Sequence, residues 1–186
     1  MSHLHVPDGV LPPLLWIPGA VLALVAVALS ARVSGDSRGL GLRGALGALM
    51  LAVMAIPIPL FALEYCLTLA GPIGVLVGGL AGVQIAFAVT VVLAFLGQGG
   101  FSVVGLNVLV LSAGMAVARP AYRALVRRAS PAVAMAGATA AAQFVSGGLW
   151  FGLLALALRL DPHFAFDDHG HGHGRTALFS TLALGL

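Results

Sequence analysis

The feature that most constrains this chain is a stretch without one charged side chain, from residue 67 to residue 97. A single membrane-spanning helix needs only about 20 apolar residues, so this stretch is too long for one ordinary span. The glycine pair at 78 and 79 divides it into a short helix and a full one. Only 8% of all residues are charged, whereas a soluble domain carries about a quarter. We therefore predict an integral membrane protein.

Polar turns and prolines divide the rest of the chain into further apolar runs. Pro57 and Pro59 should bend the second run, because proline lacks the backbone donor that a helix needs. We predict one all-α integral membrane domain over residues 1–186, a polytopic helix bundle with about six transmembrane helices, one of them short. The predicted spans are 14–31, 44–63, 67–78, 80–97, 101–118 and 131–158, within a bundle that covers 14–158.

All nine basic residues are arginines, and seven of them lie in the connections 32–43 and 119–130. The positive-inside rule makes these connections cytoplasmic, which requires an even number of crossings between them, and the predicted spans give four. The N-terminal segment 1–13, the turns at 64–67 and 98–100 and the loop 159–175 are then outside. The net charge of +3 is a topology signal, so the predicted partner is the lipid bilayer and not nucleic acid.

The predicted topology collects a set of polar side chains on the external side. Histidine and cysteine are ligands for transition metals, and polar residues at membrane depth usually face an internal site or another helix. We therefore predict a transition-metal site at this face. Its candidate ligands are Ser2, His3, His5 and Cys66, and its candidate supporting residues are Asp8, Glu64, Tyr65, Gln98 and Asn107.

The N-terminus has a chelate chemistry of its own. With Met1 retained, His3 is the third residue, an arrangement in which amine, backbone amide and imidazole nitrogens suit square-planar Ni(II) or Cu(II). With Met1 removed, Ser2 and His3 form a shorter chelate that leaves one position for another ligand. A disordered tail is the alternative interpretation.

The loop 159–175 alternates histidine with glycine at His169, His171 and His173. This composition binds metals weakly, so the loop either collects ions near the site or is simply solvated. The sequence contains no Gly-x4-Gly-Lys-Ser/Thr motif, so this chain is not expected to bind ATP. A membrane enzyme based on Glu64, Tyr65 and Cys66 lacks an identifiable base–nucleophile pair, and we predict that the chain is not an enzyme.

Three segments resemble one family. The segments are His5-Val6-Pro7-Asp8-Gly9-Val10-Leu11-Pro12, Tyr65-Cys66-Leu67-Thr68-Leu69-Ala70-Gly71-Pro72, and residues 98–108, which begin Gln98-Gly99-Gly100 and contain Gly105 and Asn107. They resemble motifs of the CbiM/NikM-type substrate-binding membrane subunit of cobalt/nickel energy-coupling-factor ABC transporters. The likeness covers most of residues 3–118.

The resemblance implies an S-component-like helix bundle in a bacterial or archaeal cell (inner) membrane. The transported substrate would be Ni²⁺ or Co²⁺, held near the extracytoplasmic surface. In that family the ligands are the N-terminal amine, the backbone nitrogen and side chain of a following histidine, and an internal histidine. The implied partners are a transmembrane coupling subunit and ATP-binding cassette subunits, in some systems together with a small accessory membrane subunit.

The chain departs from the family pattern at two places. Three extra residues precede His5, so His3 takes the second-residue role by position if Met1 is removed, while His5 keeps it by motif. Cys66 stands where the internal histidine is expected, and a thiolate changes metal preference. The alternative is that Cys66 is only a small buried hydrophobe. The replacement at Cys66 also motivates a second functional hypothesis, a metal sensor or assembly protein that binds the ion without transporting it. The sequence does not distinguish nickel from cobalt as the bound metal, although the all-nitrogen chelate favours nickel slightly.

Gly74, Gly78 and Gly82 recur every four residues. This spacing lets two membrane helices approach closely, although glycine is common in membrane helices generally. We expect these glycines to contact the coupling subunit.

Overall fold

The computed structural model describes residues 11–33, 39–56, 58–60, 63–65 and 68–160, and it describes the strands 58–60 and 63–65 by their backbone only. Five helices and two short strands follow one another along this part of the chain. They are α1 (Pro13–Val33), α2 (Leu40–Met54), β1 (Ile58–Leu60), β2 (Leu63–Tyr65), α3 (Ala70–Phe95), α4 (Val104–Leu125) and α5 (Pro131–Leu160).

Four of the helices, α1, α3, α4 and α5, are long and apolar enough to cross a membrane, whereas α2 has 15 residues. Large apolar side chains stay exposed on their outer faces, as at Leu24 (59% exposed) and Phe144 (70%). Such faces are unstable in water and suit hydrocarbon. The prediction of an all-α polytopic membrane bundle is confirmed.

The starts of α1 and α5 follow from local chemistry. Each helix begins at a proline, Pro13 or Pro131, whose fixed φ and missing N–H suit the first helical position. At α5 the Ser130 hydroxyl also accepts a hydrogen bond from the backbone N–H of Val133, at 3.4 Å. That contact caps one of the backbone donors that a helix start leaves without a partner.

The second predicted span, 44–63, is wrong beyond Met54. There α2 ends, and the chain continues as an antiparallel hairpin in which Ile58 pairs with Tyr65 and Pro59 with Glu64. Pro57 and Pro59 are the physical cause, because neither can donate the backbone hydrogen bond of a continuing helix. The bend expected at these prolines is thus a complete end to the helix.

A break at Gly78 divides α3 into α3a (70–77) and α3b (79–95), since φ there is +79° and ψ is 169°. A Cβ on Gly74 would lie 2.6 Å from the Met115 Cα, and a Cβ on Gly82 would lie 3.2 Å from the Met115 Cβ. Continuous helix would separate residues 74 and 82 by about 12 Å. Both therefore reach Met115 only because the chain folds back at Gly78. The predicted division at residues 78 and 79 is confirmed, within one broken helix rather than two separate ones.

The core is centred on α4, which packs against α3 on one side and α5 on the other. Met115 and Val108 of α4 are fully buried, together with Ala86 of α3b. Helices α4 and α5 run antiparallel: the Ser146 hydroxyl donates to the Val110 carbonyl at 3.2 Å. At the far end of the pair, a Cβ on residue 137 would meet the side chain of residue 125.

The hairpin and α3a together connect the end of α2 to Gly78. Thr68 hydrogen-bonds Gln143 in the middle of α5, whereas Gly78 lies beside the Arg119 guanidinium, in the last turns of α4. Four traverses therefore connect the two arginine-bearing loops, as predicted. One of them is a strand hairpin followed by a short helix instead of a full transmembrane helix.

One end of the bundle collects six of the seven described arginines, and we call it the arginine end; the seventh, Arg159, lies in the last turn of α5. There the last turn of α1 meets the first turn of α3b, since the Ser30 hydroxyl donates to the Leu80 carbonyl. Arg43 of α2 donates to the Gln84 Oε1 of α3b at 3.2 Å. The described parts of both arginine-bearing loops lie at this end, although Arg119 and Arg123 belong to α4 itself and not to the connection that follows.

The contact predicted between Gly74, Gly78 and Gly82 and a coupling subunit is wrong. All three glycines are buried, and their neighbours are Met115 and Arg119 of the same chain. The small-residue spacing does allow a close helix approach, but it joins both halves of α3 to α4.

Candidate metal site

Several described segments meet at the end of the bundle that lies opposite the arginine end. We call it the opposite end. Leu11 is only 3% exposed and packs in one cluster with Val103, Leu106 and Leu154. The Gln98 side chain donates a hydrogen bond to the Ala55 carbonyl at 3.3 Å. The first described residue, the end of α2, the turn before α4 and the last turns of α5 therefore meet here. Chain connectivity makes residues 1–10 and residues 161 onward continue from this end.

The β1–β2 hairpin is the second feature of this region. It lies in the chain between Ala55, hydrogen-bonded at the opposite end, and Thr68, hydrogen-bonded to the middle of α5. Non-helical backbone at membrane depth is tolerated only where it is buried in protein or lines a cavity. Strand β2 ends at Tyr65, so Cys66 directly follows this non-helical segment.

A side-chain hydrogen bond that the sequence did not predict fixes the chain shortly after the hairpin. The Thr68 hydroxyl donates to the Gln143 Oε1 at 2.9 Å, and this fixes the chain two residues after Cys66 against α5. The available signal was Gln143 itself, an amide in the otherwise apolar run 131–158. Polar residues in such runs usually face another helix or an internal site.

Gln98 is a predicted supporting residue that the structure describes completely. Its NH2 group donates a hydrogen bond to the Ala55 carbonyl. Its Oε1 atom is buried and has no hydrogen-bond partner in the described part of the protein. A buried acceptor without a partner is costly. Gln98 therefore offers an acceptor to any donor at the opposite end, such as a backbone N–H or a metal-bound water.

Asn107, the other supporting residue described with its side chain, is buried at 8% exposure on the first turns of α4. It follows Val103 and Leu106, which pack against Leu11. Its amide is thus held at the same end as Gln98, in a helix whose position is fixed by the core.

The remaining predicted residues lie outside what the structure describes in atomic detail. The residues outside the described ranges are Ser2, His3, His5, Asp8, Cys66, His169, His171 and His173; Glu64 and Tyr65 are described by their backbone only. Among the side chains of the described ranges, no three His, Cys, Asp or Glu residues come together. The ligand set therefore stays a prediction.

Comparison with known proteins gives two matches. The model of the CbiM family, described as cobalt uptake substrate-specific transmembrane region, matches residues 5–183. A crystal structure described as that of a transition metal transporter shares the fold with a TM-score of 0.73, over 97% of this chain and 89% of the other. The two chains are 14% identical, so this likeness concerns the fold. No curated protein sequence matches.

Proposed function

Because the chain belongs to the CbiM family of cobalt uptake substrate-specific transmembrane regions, we propose that it binds Ni²⁺ or Co²⁺ for an ATP-driven energy-coupling-factor transporter. The observation that carries the proposal is the β1–β2 hairpin, which lies in the chain between Ala55 and Thr68. A membrane protein keeps such non-helical backbone only where it is buried in protein or lines a cavity. The end at which it starts is also the end from which residues 1–10 continue.

The proposed ligands combine the N-terminal chelate with Cys66. The amine of Ser2, exposed once Met1 is removed, the backbone nitrogen of His3 and its imidazole supply three nitrogen donors. Cys66 supplies the fourth donor as a thiolate, and nitrogen–thiolate sets bind Ni²⁺ and Co²⁺. His5 is the competing imidazole, because it carries the family motif.

Gln98 and Asn107 support the site without ligating the metal. The free Gln98 Oε1 atom would accept a hydrogen bond from the folded N-terminal segment or from a ligand N–H. Groups that orient metal ligands in this way affect affinity by roughly 10- to 100-fold when they are removed.

The proposed topology places the opposite end outside the cell and the arginine end in the cytoplasm. It rests on the positive-inside rule and on the arginine-bearing loops lying at one end of the bundle. The ion would enter from outside, lose part of its hydration shell and sit between residues 2–5 and Cys66. A coupling subunit and ATP-binding cassette subunits would then drive its release inward, and this chain would supply no ATPase site.

The test is the metal content of the purified chain after loading with Ni²⁺ or Co²⁺, with the N-terminus of the same sample defined by mass spectrometry. We expect one ion per chain in the wild type and at least about tenfold weaker binding after Cys66→Ala. Cys66→His should retain binding, since it restores the imidazole of the family pattern. His3→Ala and His5→Ala, made separately, identify the N-terminal ligand.

The matched control is the triple change of His169, His171 and His173 to alanine. Wild-type stoichiometry in this variant supports the proposed site. If binding survives Cys66→Ala, His3→Ala and His5→Ala and disappears only in the triple variant, the site is in the C-terminal loop and the proposal is wrong.

A further inference from the structure

A basic cavity of about 750 Å³ opens at the arginine end, between α3 and α4. Four arginines line it, Arg43, Arg119, Arg123 and Arg127, and no Asp or Glu is among its described lining residues. The metal chemistry of the opposite end makes no use of this cavity. A divalent cation is also not its ligand, because like charges repel.

The arginines are arranged to act together. Arg119 and Arg123 lie four residues apart in the last turns of α4, so they project from one face, where like charges at this spacing repel each other. Arg127 lies in the turn after the helix and lines the same cavity. Arg43 joins them from α2. An anion in the cavity would remove this repulsion, and guanidinium groups bind phosphate by paired, charge-assisted hydrogen bonds.

The turn at Gly78 adds to the positive potential. Helix α3b starts directly after it, and Gly79, Leu80 and Ala81 line the cavity. The first turn of a helix presents backbone N–H groups and the positive end of the helix dipole. A Cβ on Gly78 would lie 3.1 Å from the Arg119 Nη1, so the missing side chain leaves room for that guanidinium beside the helix start.

An apolar groove continues from the cavity. It has a volume of about 360 Å³ and runs between α2 and α3b, past Gly47, Ala48, Ala88 and Val92. Arg43 lines both spaces, and its hydrogen bond to Gln84 holds it where they meet. A ligand that fills both needs an anionic head and an apolar tail.

The positive-inside rule explains why arginines lie at this end, but it does not explain why four of them line one cavity. Arg32 and Arg128 lie at the same end and do not line it. Arg119 lies roughly 22 Å along α4 from Val104 at 1.5 Å per residue. Arg123, one turn later, lies roughly 28 Å from Val104, which is close to the thickness of a hydrocarbon layer, about 30 Å, and so brings its guanidinium near the level of the lipid phosphates.

We propose that this cavity and groove bind one anionic phospholipid, with its phosphate against Arg119 and Arg123 and an acyl chain between α2 and α3b. Basic pockets between transmembrane helices on the cytoplasmic side are suited to such headgroups. The site is separate from the metal site, so neither proposal depends on the other.

The test is native mass spectrometry of the full chain in mild detergent, titrated with phosphatidylglycerol or with phosphatidylcholine of the same acyl chains. We expect one phosphatidylglycerol per chain, bound at least about tenfold more tightly than phosphatidylcholine. The double variant R119Q/R123Q should lose this preference. The matched control R32Q/R128Q removes the same charge at the same end and should bind as the wild type does. Helical circular dichroism of each variant confirms that it is folded.

The groove is tested separately. Ala88→Leu fills it and should weaken phosphatidylglycerol binding several-fold, whereas Ala45→Leu, exposed on α2 outside the groove, should not. Equal losses in R119Q/R123Q and R32Q/R128Q would overturn the proposal, because the effect would then be one of net charge. Full competition by inorganic phosphate, with no effect of Ala88→Leu, would replace the lipid by a soluble phosphate. If R119Q/R123Q binds lipid normally and loses only its assembly with partner subunits, the cavity is a protein-docking surface and the proposal is wrong.

Discussion

Two glycine-rich stretches of the bundle, 71–82 in α3 and 147–152 in α5, are alike in composition and opposite in surroundings. Around Gly71 and Gly74 the backbone of a neighbouring helix lies so close that an added Cβ would be 2.4–2.6 Å from its nearest atoms. A Cβ added at Gly147, Gly148 or Gly152 would meet no atom of another helix within 4 Å. One set of glycines permits a helix contact, and the other has open space where a side chain would stand.

The difference shows that small-residue spacing marks where helices can approach, and not which helix is approached. In α3 the spacing serves a chain that folds back on itself, so both halves contact α4. That packing positions Thr68 against α5. The free energy of unfolding should therefore depend strongly on the α3 glycines and weakly on those of α5.

The largest effect is expected for Gly74→Ala. The new methyl group would lie 2.4 Å from the Met115 carbonyl oxygen and 2.6 Å from its Cα, and backbone cannot move aside as a side chain can. We expect a loss of about 3 kcal/mol in the free energy of unfolding, measured by detergent-induced unfolding of the purified chain. The paired control is Gly148→Ala, which should leave stability unchanged or raise it by up to about 1 kcal/mol. Equal effects at the two positions would contradict the comparison.

Gly78→Ala should have the second largest effect. The residue has φ of +79°, a conformation that costs a side-chain-bearing residue about 1–2 kcal/mol, and its methyl group would lie 3.1 Å from the Arg119 Nη1. We expect a loss of about 2 kcal/mol in the same unfolding assay. Gly97→Ala is the informative partner, because Gly97 also has positive φ (+74°) but has open space around it. A smaller loss at Gly97 isolates the contact with Arg119, and no loss at Gly78 would mean that the chain does not fold back there.

Gly82→Ala should have the smallest effect among these three buried glycines of α3. Its nearest neighbour is the Met115 Sδ, at 2.6 Å from the added Cβ, and a methionine side chain adapts readily. We expect a loss below about 1 kcal/mol. Combining Gly82→Ala with Met115→Leu tests the reason, since the shorter side chain should recover part of the loss. A loss as large as that of Gly74→Ala would show that the helix backbones are closer here than the structure indicates.

The sequence predicted most of the helices because apolar length and charge determine them directly. The spans 14–31 and 131–158 agree with α1 and α5 within two residues at each end. The break at residues 78 and 79 was also predictable, since a glycine pair in an uncharged stretch has no other strong local preference. The even number of traverses between the arginine-bearing loops followed from the positive-inside rule.

What sequence reasoning missed depends on contacts between distant segments. The hairpin replaces the outer part of a predicted helix because its two strands pair with each other, and Thr68 is fixed by Gln143, 75 residues away. The arginines were interpreted as topology signals, and only the folded chain shows that four of them line one cavity. For the metal site, the structure places Gln98 and Asn107 at one end of the bundle, and the ligands themselves remain predictions from the motif.

The most direct test of the central claim, that this chain admits nickel or cobalt into the cell, is metal accumulation in cells. Cells would carry the chain with its coupling and ATP-binding cassette subunits, and Ni or Co content would be measured by mass spectrometry after growth in trace metal. We predict metal accumulation that requires the ATPases, falls to background with Cys66→Ala and returns with Cys66→His. Stoichiometric metal binding by the purified chain without any accumulation in such cells would contradict this prediction, and would identify the protein as one that binds the metal without transporting it.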